Sequence, residues 1–272
     1  MMKITDIKCF VLDMDGTFYL GDQLIDGALD FIKTLEKQNK EFVFLTNNSS
    51  KNKYAYQGKL KKMGLEIDPE RVLTSGEATA IYLKNKKPEA KVFLLGTPLL
   101  EEEFTNAGFK LVKGRECNPD FVVLGFDTTL TYEKLWIACD FIRDGVEYIA
   151  THPDYNCPIE NSKYMPDAGA MIDFIYASTN KRPYVVGKPN KQIIDVLCDK
   201  YGFSKSEVAI VGDRLYTDIK TGMNSDIASV LVYSGETSPE QYSKSDIKAT
   251  FVYPSIKELN EDLINKDGGN YE

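Results

Sequence analysis

The sequence holds one histidine and one tryptophan in 272 residues, and only five cysteines. A single histidine excludes every site built on two or three imidazoles. The cysteines (Cys9, Cys117, Cys139, Cys157 and Cys198) are odd in number and form no Cys-x-x-Cys pair, which argues against a disulfide framework or a zinc site. Cys9 lies in an apolar run, and Cys139 and Cys198 lie within helical patterns, where thiols behave as small hydrophobes. The compartment reads as cytoplasm. No apolar run approaches the roughly 20 residues of a membrane span. The start, Met1-Met2-Lys3-Ile4-Thr5-Asp6, lacks the apolar stretch of a signal peptide. Positive charge is in deficit as well: 33 Lys and Arg stand against 41 Asp and Glu, a net charge of −8. Nucleic acid and membrane surfaces are therefore not expected partners.

What is present is a regular alternation. Short β-branched apolar runs at Cys9–Leu12, Phe42–Leu45, Val72-Leu73, Val92–Leu95, Phe121–Leu124, Tyr148–Ala150, Val185-Val186, Val208–Val211 and Ile227–Val232 read as buried strands. Helical spacing separates them, over Gly27–Gln38, Lys51–Met63, Gly76–Lys84, Pro98–Ala107, Tyr132–Asp144, Ala168–Ala177, Asn190–Tyr201 and from about Ile256 onward. Trp136 falls inside one of these patterns and is expected in the core, Thr151–Asp167 reads as loop, and the Gly268-Gly269 tail needs no function. The rhythm predicts an α/β fold, a doubly wound parallel sheet with helices on both faces. The stretch from Asn48 to Gly187 is far longer than two strand–helix units require, so it should carry a second α/β module. The expected division is 1–79 for the first part of the core, 80–183 for an inserted α/β domain, and 184–272 for the rest of the core.

In an open parallel sheet, ligands gather outside the carboxyl ends of the strands. The residues found there are Asp13 and Asp15 after the first strand, Thr46-Asn47-Asn48 after the second, Lys188 after Val185-Val186, and Asp213 after Val208–Val211, with Asp218 five residues further on. Clustered carboxylates repel unless a cation joins them, and an all-oxygen donor set favours Mg²⁺. A lysine, a threonine hydroxyl and loop amides suit phosphate oxygens. With both in place, one carboxylate can attack phosphorus to form an aspartyl phosphate, and a second can protonate the leaving oxygen. Asp218 equally suits a helix cap, and Lys188 a solvated position before a helix-starting proline.

Asp13-Met14-Asp15-Gly16-Thr17, Leu45-Thr46-Asn47-Asn48, Val186-Gly187-Lys188-Pro189 and Gly212-Asp213 with Asp218 resemble, in order and spacing, the four motifs of the haloacid dehalogenase (HAD) superfamily. The run Asp15–Gly21 and the two middle motifs look most like the NagD/4-nitrophenylphosphatase subfamily, whose large α/β cap would be the inserted module. The resemblance implies Asp13 as nucleophile and Asp15 as general acid/base. It implies Thr46, Asn47 and Lys188 as phosphate-binding residues. Asp213 would ligate Mg²⁺ with Asp13 and the Asp15 carbonyl, and Asp218 would support the metal or orient Lys188. A dehalogenase of the superfamily needs no second acid, and a phosphonate-cleaving relative replaces it with a small residue. Asp15 therefore points to phosphoester chemistry on a small phosphorylated metabolite. The loop Thr151–Pro158 and the turn at Asp167–Ala170 are the expected substrate-facing parts, with His152, Asp154 and Asp167 as candidate contacts; a lone loop histidine is also commonly structural. Caps of this kind can pair, which leaves a homodimer open. Alternative activities are phosphoryl transfer by a mutase of the same superfamily and, from another class, a receiver-type signalling domain.

Overall fold

A computed structural model describes residues 2–159 and 163–267, so the Gly268-Gly269 tail lies outside the described residues. Contacts divide the chain into two units. The first comprises Met1–Leu45, Gln57–Leu73 and Leu197–Glu272; the second comprises Thr46–Tyr56 and Thr74–Val196. Each is built on its own sheet.

The sheet of the first unit runs β15-β14-β13-β1-β4-β5, with β1 Cys9–Leu12, β4 Glu41–Thr46, β5 Val72–Thr74, β13 Val208–Gly212, β14 Ala228–Val232 and β15 Phe251–Tyr253. β1 pairs in parallel with both β13 and β4. Every residue of β1, β13 and β14 is buried. That is the signature of central strands covered on both faces, and it explains why they read as unbroken apolar runs. The helices of this unit are α1 Ala28–Lys37, α8 Lys220–Ser225, α9 Pro239–Lys244 and α10 Ile256–Asp267, while α2 Lys53–Lys62 and α7 Gln192–Tyr201 each belong in part to both units. α1 buries Ala28, Phe31, Ile32 and Leu35, one stripe at helical spacing. Phe31 meets Phe10 of β1 edge-on, with ring centroids 5.5 Å apart. α1 starts after Gly27, whose φ of +80° places a would-be Cβ 2.8 Å from the Lys257 side chain on α10, so the approach of the two helices depends on glycine. A small hairpin, β2 Tyr19–Leu20 with β3 Gln23–Leu24, follows the β1 loop.

The second unit carries an all-parallel sheet in the order β12-β9-β8-β6-β7, made of β6 Lys91–Leu95, β7 Lys110–Val112, β8 Phe121–Leu124, β9 Glu147–Ala150 and β12 Tyr184–Val185. Its helices are α3 Ser75–Lys86, α4 Pro98–Asn106, α5 Tyr132–Arg143 and α6 Ala168–Thr179. Each opens on a side-chain cap: Thr74 on the Glu77 amide, Thr97 on Leu100, Thr131 on Lys134 and Asp167 on Ala168. Phe93, Val122, Leu124, Phe141, Ile142 and Ile175 form part of its core.

Two sequence expectations are corrected here. Trp136 is 56% exposed. The buried stripe of α5 runs through Leu135, Ala138, Cys139 and Ile142, whereas Trp136 shares its face with exposed Tyr132 and with Asp140 and Arg143, and the Arg115 guanidinium lies 4.6 Å over its ring. The Thr151–Asp167 stretch is not all loop: β10 Asn156–Ile159 pairs antiparallel with β11 Lys163–Pro166. Pro158 and Pro166 inside these strands, and the exposure of both, hide the usual strand signal. The buried placement of Cys9, Cys139 and Cys198 agrees with their reading as small hydrophobes. Among the described residues no helix is long and apolar enough to cross a membrane.

Replacing Phe31 with alanine removes the aromatic that joins α1 to the sheet. Phe31→Ala is expected to cost about 3–5 kcal/mol of unfolding free energy in urea denaturation. A loss below about 1 kcal/mol would show that α1 is not fixed through this contact.

Candidate active site

In the first unit the neighbouring parallel strands β1 and β13 end on Asp13 and on Gly212-Asp213, so both carboxylates leave the same edge of the sheet. Asp218 follows in a wide helical turn, Leu215–Ile219, before α8. One carboxylate oxygen from each of Asp13, Asp213 and Asp218 lies within 4.8 Å of the others, with Asp213 and Asp218 buried. Asp213 is fixed by the Glu236 amide at 2.7 Å and the Thr17 hydroxyl at 3.3 Å. Asp218 Oδ2 accepts the Arg214 amide at 3.1 Å and the Thr217 hydroxyl at 3.4 Å.

Glycine is required around these carboxylates for want of space. A Cβ at Gly16, where φ is +86°, would stand 2.5 Å from Asp213 Oδ2; one at Gly235 would stand 2.0 Å from the same atom. Three clustered carboxylates with an all-oxygen donor set fit a hard divalent cation of the Mg²⁺ class. Asp13, Asp213 and Asp218 are the side chains that would hold it. Sequence reasoning passed over Arg214, although it sits in the Gly212-Asp213-Arg214 loop. Burial opposes its charge, yet Asp13 and Asp213 outweigh that and push the guanidinium further toward the charged form. Its Nε lies 3.0 Å from Glu236. The Asp15 side chain stands apart from the three-carboxylate group. Desolvation of its carboxyl by the surrounding protein raises it above the ordinary carboxylate range, against the pull of Lys59 and Arg214.

In the second unit, Asn47 and Lys188 are tied by a reciprocal pair. Asn47 Nδ2 donates to the Lys188 carbonyl at 2.9 Å, and the Lys188 amide donates to Asn47 Oδ1 at 2.9 Å. Asn47 Nδ2 also reaches both Asp154 oxygens at 3.2 Å. The Ser75 hydroxyl, at the start of α3, donates to the Asn47 carbonyl. The Thr46 hydroxyl accepts the Asn48 amide at 3.2 Å, turning the chain sharply as it leaves β4. Gly187 admits no Cβ, which would stand 2.3 Å from the Thr151 carbonyl and 2.8 Å from Asn47 Oδ1. His152 is completely buried, with its Nε2 2.9 Å from Asp167 Oδ1, while the same Asp167 oxygen accepts the Ala168 amide at 2.6 Å. Asp167 is thus the cap of α6. The structure therefore joins Asn47, Lys188, Asp154, His152 and Asp167 in one network and Asp13, Asp213 and Asp218 in another. Ser75 was missed, although it follows the end of β5 and the strand-end rule applies to it as well.

Two family models match this chain: the haloacid dehalogenase-like hydrolases over residues 10–110 and a HAD-hydrolase-like model over residues 185–259. An acid sugar phosphatase of Staphylococcus haemolyticus is 39% identical over 253 residues, covering 93% of this chain and 94% of the relative. The chain belongs to the haloacid dehalogenase-like hydrolases. Among solved HAD structures, a 4-nitrophenylphosphatase from Thermotoga maritima superposes with a TM-score of 0.91 at 48% identity, covering 96% of this chain and all of that one. A glycerol phosphate phosphatase from Mycobacterium tuberculosis, solved in complex with magnesium, superposes with a TM-score of 0.88 at 28% identity, covering 97% of this chain and 80% of that one. Within the HAD family this chain is a phosphatase of the NagD/4-nitrophenylphosphatase type, with a Rossmann-like core and an inserted α/β cap.

The crowding at Gly235 gives a direct test of the cation site. Gly235→Ala should displace the Asp213 carboxylate and weaken Mg²⁺ binding, followed by calorimetric titration, about 10–100-fold. An unchanged affinity would place the cation elsewhere.

Proposed function

We propose that this HAD phosphatase hydrolyses small phosphomonoesters, sugar phosphates and 4-nitrophenyl phosphate among them, through an aspartyl phosphate on Asp13. The observation that carries the reading is the convergence of the Asp13, Asp213 and Asp218 carboxylates within 4.8 Å at the ends of parallel strands. The names of the relatives supply the substrate class: an acid sugar phosphatase, a 4-nitrophenylphosphatase and a glycerol phosphate phosphatase.

In this reading an Asp13 oxygen attacks phosphorus in line with the ester oxygen. The P–O bond to the leaving group breaks, and Asp15 gives that oxygen its proton. Water then attacks the acyl phosphate, Asp15 takes back a proton, and Asp13 and inorganic phosphate are released. Thr46, Asn47 and Lys188 hold the phosphoryl oxygens. Asp13, the Asp15 carbonyl and Asp213 would hold Mg²⁺, with Asp218 beside them; the ion would offset the negative charge that otherwise keeps a carboxylate from a phosphate. The segment 80–183 serves as the cap, and its Thr151–Pro158 loop, with Asp154, is offered to the leaving group. The substrate partner is a small phosphorylated metabolite and the site of action the cytoplasm.

Phosphate release from 4-nitrophenyl phosphate and from a panel of sugar phosphates tests this. Turnover should require Mg²⁺, disappear with chelator, and fall at least about 10³-fold in Asp13→Asn. Full activity in that variant would end the mechanism. An isomerised sugar phosphate with little free phosphate would mark a mutase, and a long-lived phosphorylated protein a receiver.

A further inference from the structure

Ser75 opens α3 directly after β5, and the phosphatase reading gives it no task. It is wholly buried. The helix it begins holds its backbone from both sides. Thr74 caps the Glu77 amide at 2.9 Å, and the Ser75 carbonyl accepts the Thr79 hydroxyl at 2.7 Å. The place of the Ser75 side chain is therefore set by a helix start rather than by a loop. Its hydroxyl donates to the carbonyl of Asn47, 28 residues back along the chain. His152 Nδ1 lies 3.5 Å from the same hydroxyl, at the limit of a hydrogen bond, and has the Thr151 hydroxyl nearer at 2.9 Å.

The Asn47 carbonyl belongs to the peptide group that joins Asn47 to Asn48. The N–H at the other end of that peptide donates to the Thr46 hydroxyl at 3.2 Å. A peptide group is planar, so its carbonyl and its N–H point in opposite directions and turn together. Ser75 grips one end of the plane and Thr46 receives the other. A turn of the plane at the Ser75 end carries the N–H off the Thr46 oxygen.

That second bond decides what Thr46 can do. A hydroxyl has one proton and two accepting lone pairs. With the Asn48 N–H on a lone pair, the Thr46 proton is directed away from that amide, and the hydroxyl presents itself as a donor. The oxygens of a phosphoryl dianion accept and do not donate, so the donor form is the one that phosphate needs. Other bonds to the loop act on other groups of it. The Ser49 hydroxyl accepts the Phe126 amide at 2.9 Å, Thr97 donates to the Ser50 carbonyl at 2.9 Å, and the Asn47 side chain grips the Lys188 backbone. These fix the path of the chain, whereas Ser75 fixes the rotation of one peptide within it.

We propose that Ser75 is a positioning residue: by holding the Asn47–Asn48 peptide plane it sets the Thr46 hydroxyl as a donor to the transferring phosphoryl group. Without the Ser75 proton the Asn47 carbonyl loses this donor in a buried place, and the plane turns to find another. The Thr46 hydroxyl, no longer committed as an acceptor to Asn48, then spends part of its time with its proton turned from the phosphate.

The inference rests on the phosphatase reading, because it needs Thr46 at the phosphoryl group. Its test is a double-mutant cycle, with kcat/KM for 4-nitrophenyl phosphate measured in Ser75→Ala, Thr46→Val and the two combined. Ser75→Ala should lower kcat/KM about 10–100-fold, the worth of one hydrogen bond to a charged group. Thr46→Val keeps the shape of the side chain and removes its hydroxyl. In that background Ser75→Ala should cost less than about 3-fold, because the group it positions is already gone. A merely structural role would cost the same in both backgrounds, and that result overturns the inference. An unchanged rate in Ser75→Ala or in Thr46→Val overturns it as well. Where urea denaturation shows Ser75→Ala unfolded, Ser75→Cys, close in shape and a weaker donor, goes through the same cycle and decides. A wild-type protein whose phosphate release equals that of Asp13→Asn would instead overturn the phosphatase reading.

Discussion

Three carboxylates brought within 4.8 Å at the ends of β1 and β13 form an arrangement that costs free energy unless positive charge joins it. The first unit makes sense around that constraint. Two central parallel strands, buried along their whole length, cannot shift register without moving an apolar set, so Asp13 and Asp213 leave the sheet at fixed points. Gly16 and Gly235 press backbone against Asp213, and Gly212 does the same to Asp218, whose Cβ would stand 2.2 Å from a Cβ there. The carboxylates are thus set by backbone packing and amide hydrogen bonds rather than by flexible side chains. A site for a small ion that demands near-ideal geometry needs this kind of rigidity.

The second unit solves a different problem. The Lys188 backbone is held where it cannot drift, and the reciprocal amide pair between Asn47 and Lys188 does this across a wide gap in sequence. Such a pair occupies both halves of the Asn47 side chain, so Asn47 works as a clamp on Lys188 as well as through its own position. Ser75, Thr151 and Ser49 extend the clamp toward the His152 ring with hydroxyls that can act as donors or acceptors.

Much of this was legible in the sequence because it lies where two rules agree. Strands such as Cys9–Leu12 and Val208–Gly212 are buried on both sides and so announce themselves as apolar runs. The polar residues that follow them, Asp13 and Asp213, stand out by contrast. The chemistry followed from that contrast and from motif order. Legibility failed where the signal depends on partners far along the chain. Trp136 sits one position off the buried stripe of α5, and a propensity for burial cannot tell the two faces of an amphipathic helix apart when both carry aromatics. The antiparallel pair β10–β11 contains two prolines and buries little, so neither alternation nor hydrophobicity marks it. Ser75 and Arg214 lay at strand ends as well, yet a hydroxyl and a guanidinium reveal their roles only beside Asn47 and Asp213.

The two networks also differ in how their charge is balanced. Around His152 the second unit sets two carboxylates, Asp154 and Asp167, which favour the charged form of the ring, against burial and Lys188, which oppose it. Around Asp213 the first unit sets Asp13, Asp213 and Asp218 against Arg214, and that guanidinium is shared with Glu236. The three carboxylates gathered there make an all-oxygen donor set that suits a hard divalent cation.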